Sequence, residues 1–159
     1  MIRVAILTVS DMAAAGERRD SSGEAAREWV RVNGWSLVEH RVVPDETVPI
    51  ATQLARWADG GQVDLIVTVG GTGFGPRDIT PEATSTILER PAPGLAESLR
   101  ASGVQSTPFA MLGRGLAGIR GRALIVNLPG AERAVREGLD ILEQVVPHAV
   151  ELLGGRTEH

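Results

Sequence analysis

The sequence predicts an α/β fold: a single domain over residues 1–159, a three-layer sandwich with a mostly parallel sheet and helices on both faces. Short apolar runs rich in β-branched residues recur at 2–9, 64–69 and 123–128, the length and composition of buried strands. Amphipathic stretches of helical period lie between them. Strands alternating with helices at this spacing need crossover connections, which lay parallel strands between two helical layers. The 159 residues fit one domain, and 43% hydrophobic content supplies a core.

Strand 2–9 ends at Ser10-Asp11. Residues 12–20 read as a polar loop rich in alanine and glycine. Ser21-Ser22-Gly23-Glu24 has capping-box spacing. The helix that follows puts Ala25, Ala26, Trp29 and Val30 on one face and stops at Asn33-Gly34. Strand 35–43 is mixed in character, nearer an edge, and ends at Pro44-Asp45-Glu46. Thr47 is placed to cap a helix with Ile50, Leu54 and Trp57 inward, ended by Asp59-Gly60-Gly61. Strand 64–69 then delivers a glycine loop. Beyond it, a helix over 81–89 is stopped by Pro91-Ala92-Pro93, and short helices follow over 94–101 and 109–112. Residues 113–121 carry four glycines and are irregular apart from a brief strand at 117–120. Strand 123–128 ends in Asn127-Leu128-Pro129-Gly130. A long helix with Val135, Leu139, Leu142 and Val146 inward closes the order, and Pro147 should kink it or begin a new segment ending near Leu153.

The loop after strand 64–69 reads Gly70-Gly71-Thr72-Gly73-Phe74-Gly75-Pro76-Arg77-Asp78-Ile79-Thr80-Pro81. Four glycines in six residues let backbone N–H groups approach and converge on an anion. Thr80-Pro81 signals a helix start, with threonine able to cap and proline tolerated in the first turn. Strand, glycine loop, Arg-Asp and helix N-terminus in that order suit a phosphate-bearing ligand. In open α/β sheets ligands sit beyond the carboxyl ends of the strands. Ser10-Asp11, Pro44-Asp45, Gly70 to Asp78 and Asn127 to Gly130 all follow strands, so four loops should meet along one edge. Each residue also has a plainer reading. Asp45 and Asp11 suit turns, Asp78 suits a helix cap, Arg77 suits a surface ion pair, and Asn127 suits a backbone partner. Taken together, Asp45 and Asp78 can hold magnesium or repel each other until a cation or proton arrives.

Composition removes many chemistries. All sixteen cationic side chains are arginine, so Schiff-base and P-loop lysines are excluded. There is no cysteine and no tyrosine, and His40, His148 and His159 lack zinc-ligand spacing. No G-x-S-x-G elbow occurs. Carboxylates, arginines, hydroxyls and backbone amides remain, which suits transfer between two bound substrates assisted by magnesium. A net charge of −4 without a basic patch argues against nucleic-acid binding. No apolar run approaches a membrane span, no secretory leader precedes strand 2–9, and the absence of cysteine agrees with a cytoplasmic setting.

The string GGTG followed by RDITPEAT resembles the signature of the MogA/MoaB family of molybdenum-cofactor biosynthesis, which includes the G domain of gephyrin. The resemblance runs in order along nearly the whole chain: Thr8 to Asp11, Asp20 to Gly23, Pro44 to Glu46, Gly70 to Thr84, Pro93-Gly94, Ala117 to Gly121 and Asn127 to Gly130. It implies a compact homotrimer that binds molybdopterin and transfers AMP from Mg-ATP to the pterin phosphate, releasing pyrophosphate. The product would pass to a molybdate-insertion enzyme. Asp45 and Asp78 match the family's functional aspartates, as catalytic residues and as candidate magnesium ligands. Ser10, Asp11, Gly70, Gly71, Thr72, Gly73, Arg77, Thr80, Asn127, Pro129 and Gly130 become candidate substrate contacts. The intact Arg77-Asp78 is closer to MogA-type adenylyltransferases; a MoaB-like binding protein without that activity is the alternative, and a gephyrin-like scaffold ranks last. The family often has Leu-Ser-Arg where this chain has Leu112-Gly113-Arg114, which removes a hydroxyl contact worth roughly 1 kcal/mol.

Overall fold

The computed structural model describes residues 1–156; His159 lies outside them. One six-stranded sheet has the order β2-β1-β3-β6-β5-β4. Its strands are β1 (Arg3–Val9), β2 (Ser36–Val43), β3 (Leu65–Val69), β4 (Arg90–Pro91), β5 (Ala117–Arg120) and β6 (Ala123–Leu128). The pairs β1–β2, β1–β3 and β3–β6 are parallel, while β5 runs antiparallel to β6 and β4 antiparallel to β5. The half that carries the expected loops is therefore parallel throughout. The antiparallel half is built by the glycine-rich stretch after residue 113, where a tight turn through Gly121 (φ +57°) joins β5 to β6.

Side-chain alternation along the strands sorts the core into two layers. Val4, Ile6, Leu65, Val67, Leu124 and Val126 face α2 (Ser21–Val32) and α6 (Glu132–Leu153), with Leu95 and Leu99 of α5 (Pro93–Val104) packed against them. Ala5, Leu7, Ile66 and Ile125 face α3 (Thr47–Asp59) and Ala83 of α4 (Thr80–Ser85). These strand residues are all but completely buried. Losing a buried leucine or isoleucine side chain at such a position costs about 2–5 kcal/mol.

Several local features differ from the sequence reading. Residues 12–20 are not all loop: α1 (Asp11–Ala14) forms a turn, with the Ser10 hydroxyl accepting from the Ala13 N–H at 3.2 Å. The N-cap of α2 is Asp20 rather than a serine; its carboxylate accepts from Gly23 N–H at 2.9 Å, and Glu24 turns to Arg19. Thr47 is the first residue of α3 and not its cap. Thr80 likewise lies inside α4, which ends at Ser85 because Glu89 to Pro91 join the sheet. The segment Pro108–Leu112 is a 3-10 turn. Pro147 neither breaks nor divides α6. It lies on the exposed side, while Val146, Ala149, Val150 and Leu153 carry the apolar stripe past it.

Candidate functional site

The loops after β1, β2, β3 and β6 meet at one edge, as the parallel topology requires. Two glycines set the path of the central loop. Gly70 (φ +99°) and Gly71 (φ +70°) are in the left-handed region. A Cβ at Gly70 would overlap the Val9 carbonyl oxygen, and one at Gly71 would overlap the Thr80 hydroxyl. Thr80 is fully buried; its hydroxyl donates to Gly70 O at 3.0 Å and its N–H to Gly71 O at 3.0 Å. Thr80 thus holds the loop from behind.

The loops are laced together by their aspartates. Asp11 N–H donates to Asp45 Oδ2 at 2.8 Å, and Asp45 N–H donates to Asp11 Oδ1 at 3.0 Å. Arg77 places its fork on Asp11, Nε to Oδ2 at 2.6 Å and Nη2 to Oδ1 at 3.0 Å. That guanidinium, with the Asp45 N–H, holds the Asp11 carboxyl below its usual range. Asp45 shifts the opposite way. Burial raises it first, and the negative charges of Asp11 and Asp78 add to the rise against the Asp11 N–H and Arg77. Asp78 closes the glycine loop on itself: Gly75 N–H donates to its Oδ2 at 2.8 Å, and its own N–H donates to Gly75 O at 3.0 Å. Its Oδ1 has no hydrogen-bond partner among the described residues.

Arg114 is a residue the sequence reading left without a role. Its backbone N–H donates to Thr72 O at 2.9 Å, its Nε to Gly73 O at 2.8 Å and its Nη2 to Asp78 O at 2.7 Å. Nη1 meets the Glu82 carboxylate at 2.8 Å. One guanidinium therefore ties both ends of the 73–78 segment together and to α4. The available signal was an arginine set between Gly113 and Gly115, where nothing else in the segment could bond at a distance. A second unassigned group is Thr8, Asp20 and His40. The Thr8 hydroxyl donates to Asp20 Oδ2 at 2.6 Å and lies 2.9 Å from His40 Nε2, which is 3.0 Å from the same carboxylate oxygen. With the hydroxyl proton on Asp20, Nε2 must carry the proton that His40 donates.

Two clefts open at this edge and share the wall Gly71, Asp78 and Gly130. The polar one, ≈ 540 Å³, takes in Ser10, Asp20, Asp45 and Gly70 together with Arg18 and Arg19. The other, ≈ 410 Å³, is mainly apolar, with Leu99, Leu112 and Ile141 among its walls. Thr72, Gly73, Asn127, Pro129 and Gly113 also line it. Asn127 is nonetheless fully engaged: its Oδ1 accepts from Leu116 N–H at 3.0 Å, and its Nδ2 donates to Thr68 and Thr84 hydroxyls at 3.0 Å. Asp11, Arg77 and Thr80 line neither cleft. They brace the loops that do.

No cluster of three or more His, Asp or Glu side chains forms a metal cage among the described residues. Asp45 and Asp78 border one cleft, and the negative charge of Asp78 raises the pKa of Asp45. That donor set suits a magnesium ion that keeps most of its positions for phosphate oxygens and water. No helix among the described residues is long and apolar enough to cross a membrane.

Residues 5–148 match the family model described as a probable molybdopterin binding domain. The chain is 38% identical over 156 residues to a molybdopterin adenylyltransferase of Helicobacter pylori, covering 97% of this chain and 89% of that one. It is 40% identical over 154 residues to the Drosophila melanogaster molybdenum cofactor synthesis protein cinnamon, covering 96% of this chain but 26% of that longer protein. Among solved structures, the molybdopterin biosynthesis enzyme MoaB of Thermus thermophilus superposes with a TM-score of 0.91 at 49% identity, covering 98% of each chain.

Proposed function

The chain belongs to the family of probable molybdopterin binding domains, and from that membership and its paired clefts we propose that it is a molybdopterin adenylyltransferase of molybdenum-cofactor biosynthesis. The observation that carries the reading is the shared wall. Two substrates in adjoining clefts would meet at Gly71, Asp78 and Gly130. In the reaction an oxygen of the pterin phosphate attacks the α-phosphorus of ATP. The bond from that phosphorus to the bridging oxygen breaks, and its electron pair leaves with pyrophosphate. No covalent enzyme intermediate is needed, in keeping with a chain that has no cysteine or lysine.

Catalysis then rests on positioning and charge. Asp45 and Asp78 would hold the magnesium that arrives with ATP; when bound, that ion neutralises phosphate charge. Asp78 offers the uncommitted Oδ1 at the wall. Asp45 is fixed by the Asp11 N–H, and Asp11 by Arg77. The glycine loop presents backbone N–H groups to the phosphates. The apolar cleft suits the flat pterin ring. A cytoplasmic homotrimer that passes its product to a molybdate-insertion enzyme completes the reading.

The test is ATP-dependent pyrophosphate release in the presence of molybdopterin. Asp78→Asn should keep the wild-type melting temperature within a few degrees and lose most turnover; wild-type release by the variant would remove Asp78 from the reaction. The second reading is a MoaB-like protein that binds molybdopterin without adenylylating it. Pterin binding without pyrophosphate release by the wild type would select it.

A further inference from the structure

Most arginines around the two clefts are already committed. Arg77 is forked onto Asp11. Arg100 donates to the Gly113 and Gly115 carbonyls. Arg114 is spent on Gly73, Asp78 and Glu82. Arg19 pairs with Glu24. Arg18, which lines the polar cleft, has no hydrogen bond or ion pair among the described residues. It is exposed and sits two residues before Asp20, the anchored N-cap of α2.

We propose that Arg18 is the guanidinium that binds the terminal phosphates of the nucleotide, and so assigns the polyphosphate to the polar cleft. The inference rests on the nucleotide reading above and adds an orientation to it. The α-phosphate must be reachable from both clefts, so it sits at the shared wall by Asp78. The apolar cleft, walled by Leu99, Leu112 and Ile141, is a poor place for polyphosphate, and its arginine, Arg100, has Nη1 on the Gly113 and Gly115 carbonyls. The β- and γ-phosphates therefore extend into the polar cleft. There Asp45 and Asp78 would repel them unless metal intervenes, and Arg18 supplies a donor fork with no partner among the described residues. A guanidinium fork matches two phosphate oxygens at once. The position distinguishes ATP and pyrophosphate, which reach Arg18, from AMP, which ends at the wall.

Calorimetric titration of ATP, pyrophosphate and AMP, each with magnesium, into wild type, Arg18→Gln and Arg18→Lys tests this. Loss of a charge-assisted phosphate contact should raise Kd for ATP and pyrophosphate about tenfold in Arg18→Gln. AMP affinity should stay within about twofold, and Arg18→Lys should recover part of the loss. Equal weakening of ATP and AMP, or unchanged ATP affinity in Arg18→Gln, overturns the assignment of Arg18 and leaves the adenylyltransferase reading standing. Failure of the wild type to bind ATP at all overturns both.

Discussion

At the scale of single residues, the site depends on side chains that hold its loops in place. Arg114 is the strongest case, because three of its donors converge on the segment that carries Asp78. Arg114→Gln should cost about 1–3 kcal/mol in stability through the lost charged hydrogen bonds. On the proposed role of Asp78, the turnover number should fall further, on the order of 100-fold, since misplacing a reacting group is penalised steeply. Steady-state kinetics beside a melting curve separates the two: a variant with lower melting temperature and unchanged turnover makes Arg114 structural only. Asp20 makes a pH-dependent case. Its carboxyl is pulled below the ordinary value; burial opposes this, but His40, the Thr8 hydroxyl and Gly23 N–H outweigh it. A depressed folded pKa means the stabilisation is complete above the unfolded value, 3.8, and is lost as pH falls through the lower folded value. Asp20→Asn keeps a capping oxygen but not the charge. The stability gap between wild type and Asp20→Asn should therefore be widest above pH 4 and close in stronger acid. Melting curves from neutral to strongly acidic pH measure it, and a gap that does not narrow would mean the charge carries no weight.

At the scale of elements, the four parallel strands, β5 and the loops at their ends were legible, whereas β4 and the helix ends were not. Buried strands such as β3 are runs of Leu, Ile and Val with no competing reading, so the end of β3 places the glycine loop; Asp45 follows β2, a mixed edge strand that its valines still mark. Helix starts depend on which of several neighbouring side chains wins a backbone N–H. Asp20 wins over Ser21 because Thr8 and His40, distant in sequence, hold its carboxylate in place. The commitment of Arg77 to Asp11 was invisible for the same reason: sixty-six positions separate the partners. Pro147 shows tertiary packing overriding a local rule. The apolar stripe of α6 holds both halves of the helix on the sheet, so the proline's missing N–H is tolerated on the exposed side. The missing hydrogen bond should be recoverable. Pro147→Ala is expected to stabilise the fold by about 1–2 kcal/mol, the helix-interior gain less the entropy returned to the unfolded chain. Urea midpoints at a constant slope would report it; a loss of stability would mean the proline supports packing that the helix needs.

At the scale of the whole molecule, the sheet order decides that two clefts share one wall. β3 lies between β1 and β6, so the glycine loop it delivers has the β1 and β2 loops on one side and the β6 loop on the other. A ligand in either cleft meets Gly71, Asp78 and Gly130, but each has its own volume beyond them. Two bound ligands can therefore coexist, and each stabilises the folded chain by mass action, about 2.7 kcal/mol at a hundredfold excess over Kd. A non-hydrolysable ATP analogue with magnesium and molybdopterin should each raise the melting temperature alone, and together should stabilise the fold by at least the sum of their separate free energies. The shared wall should make the combination exceed that sum, because the first ligand orders loop residues that the second also contacts. Thermal shifts at matched saturation, with each Kd measured separately, give the comparison. A combined shift no larger than that of the tighter ligand would mean both compete for a single cavity, and the in-line meeting of pterin phosphate and α-phosphorus across Asp78 would have no place to occur.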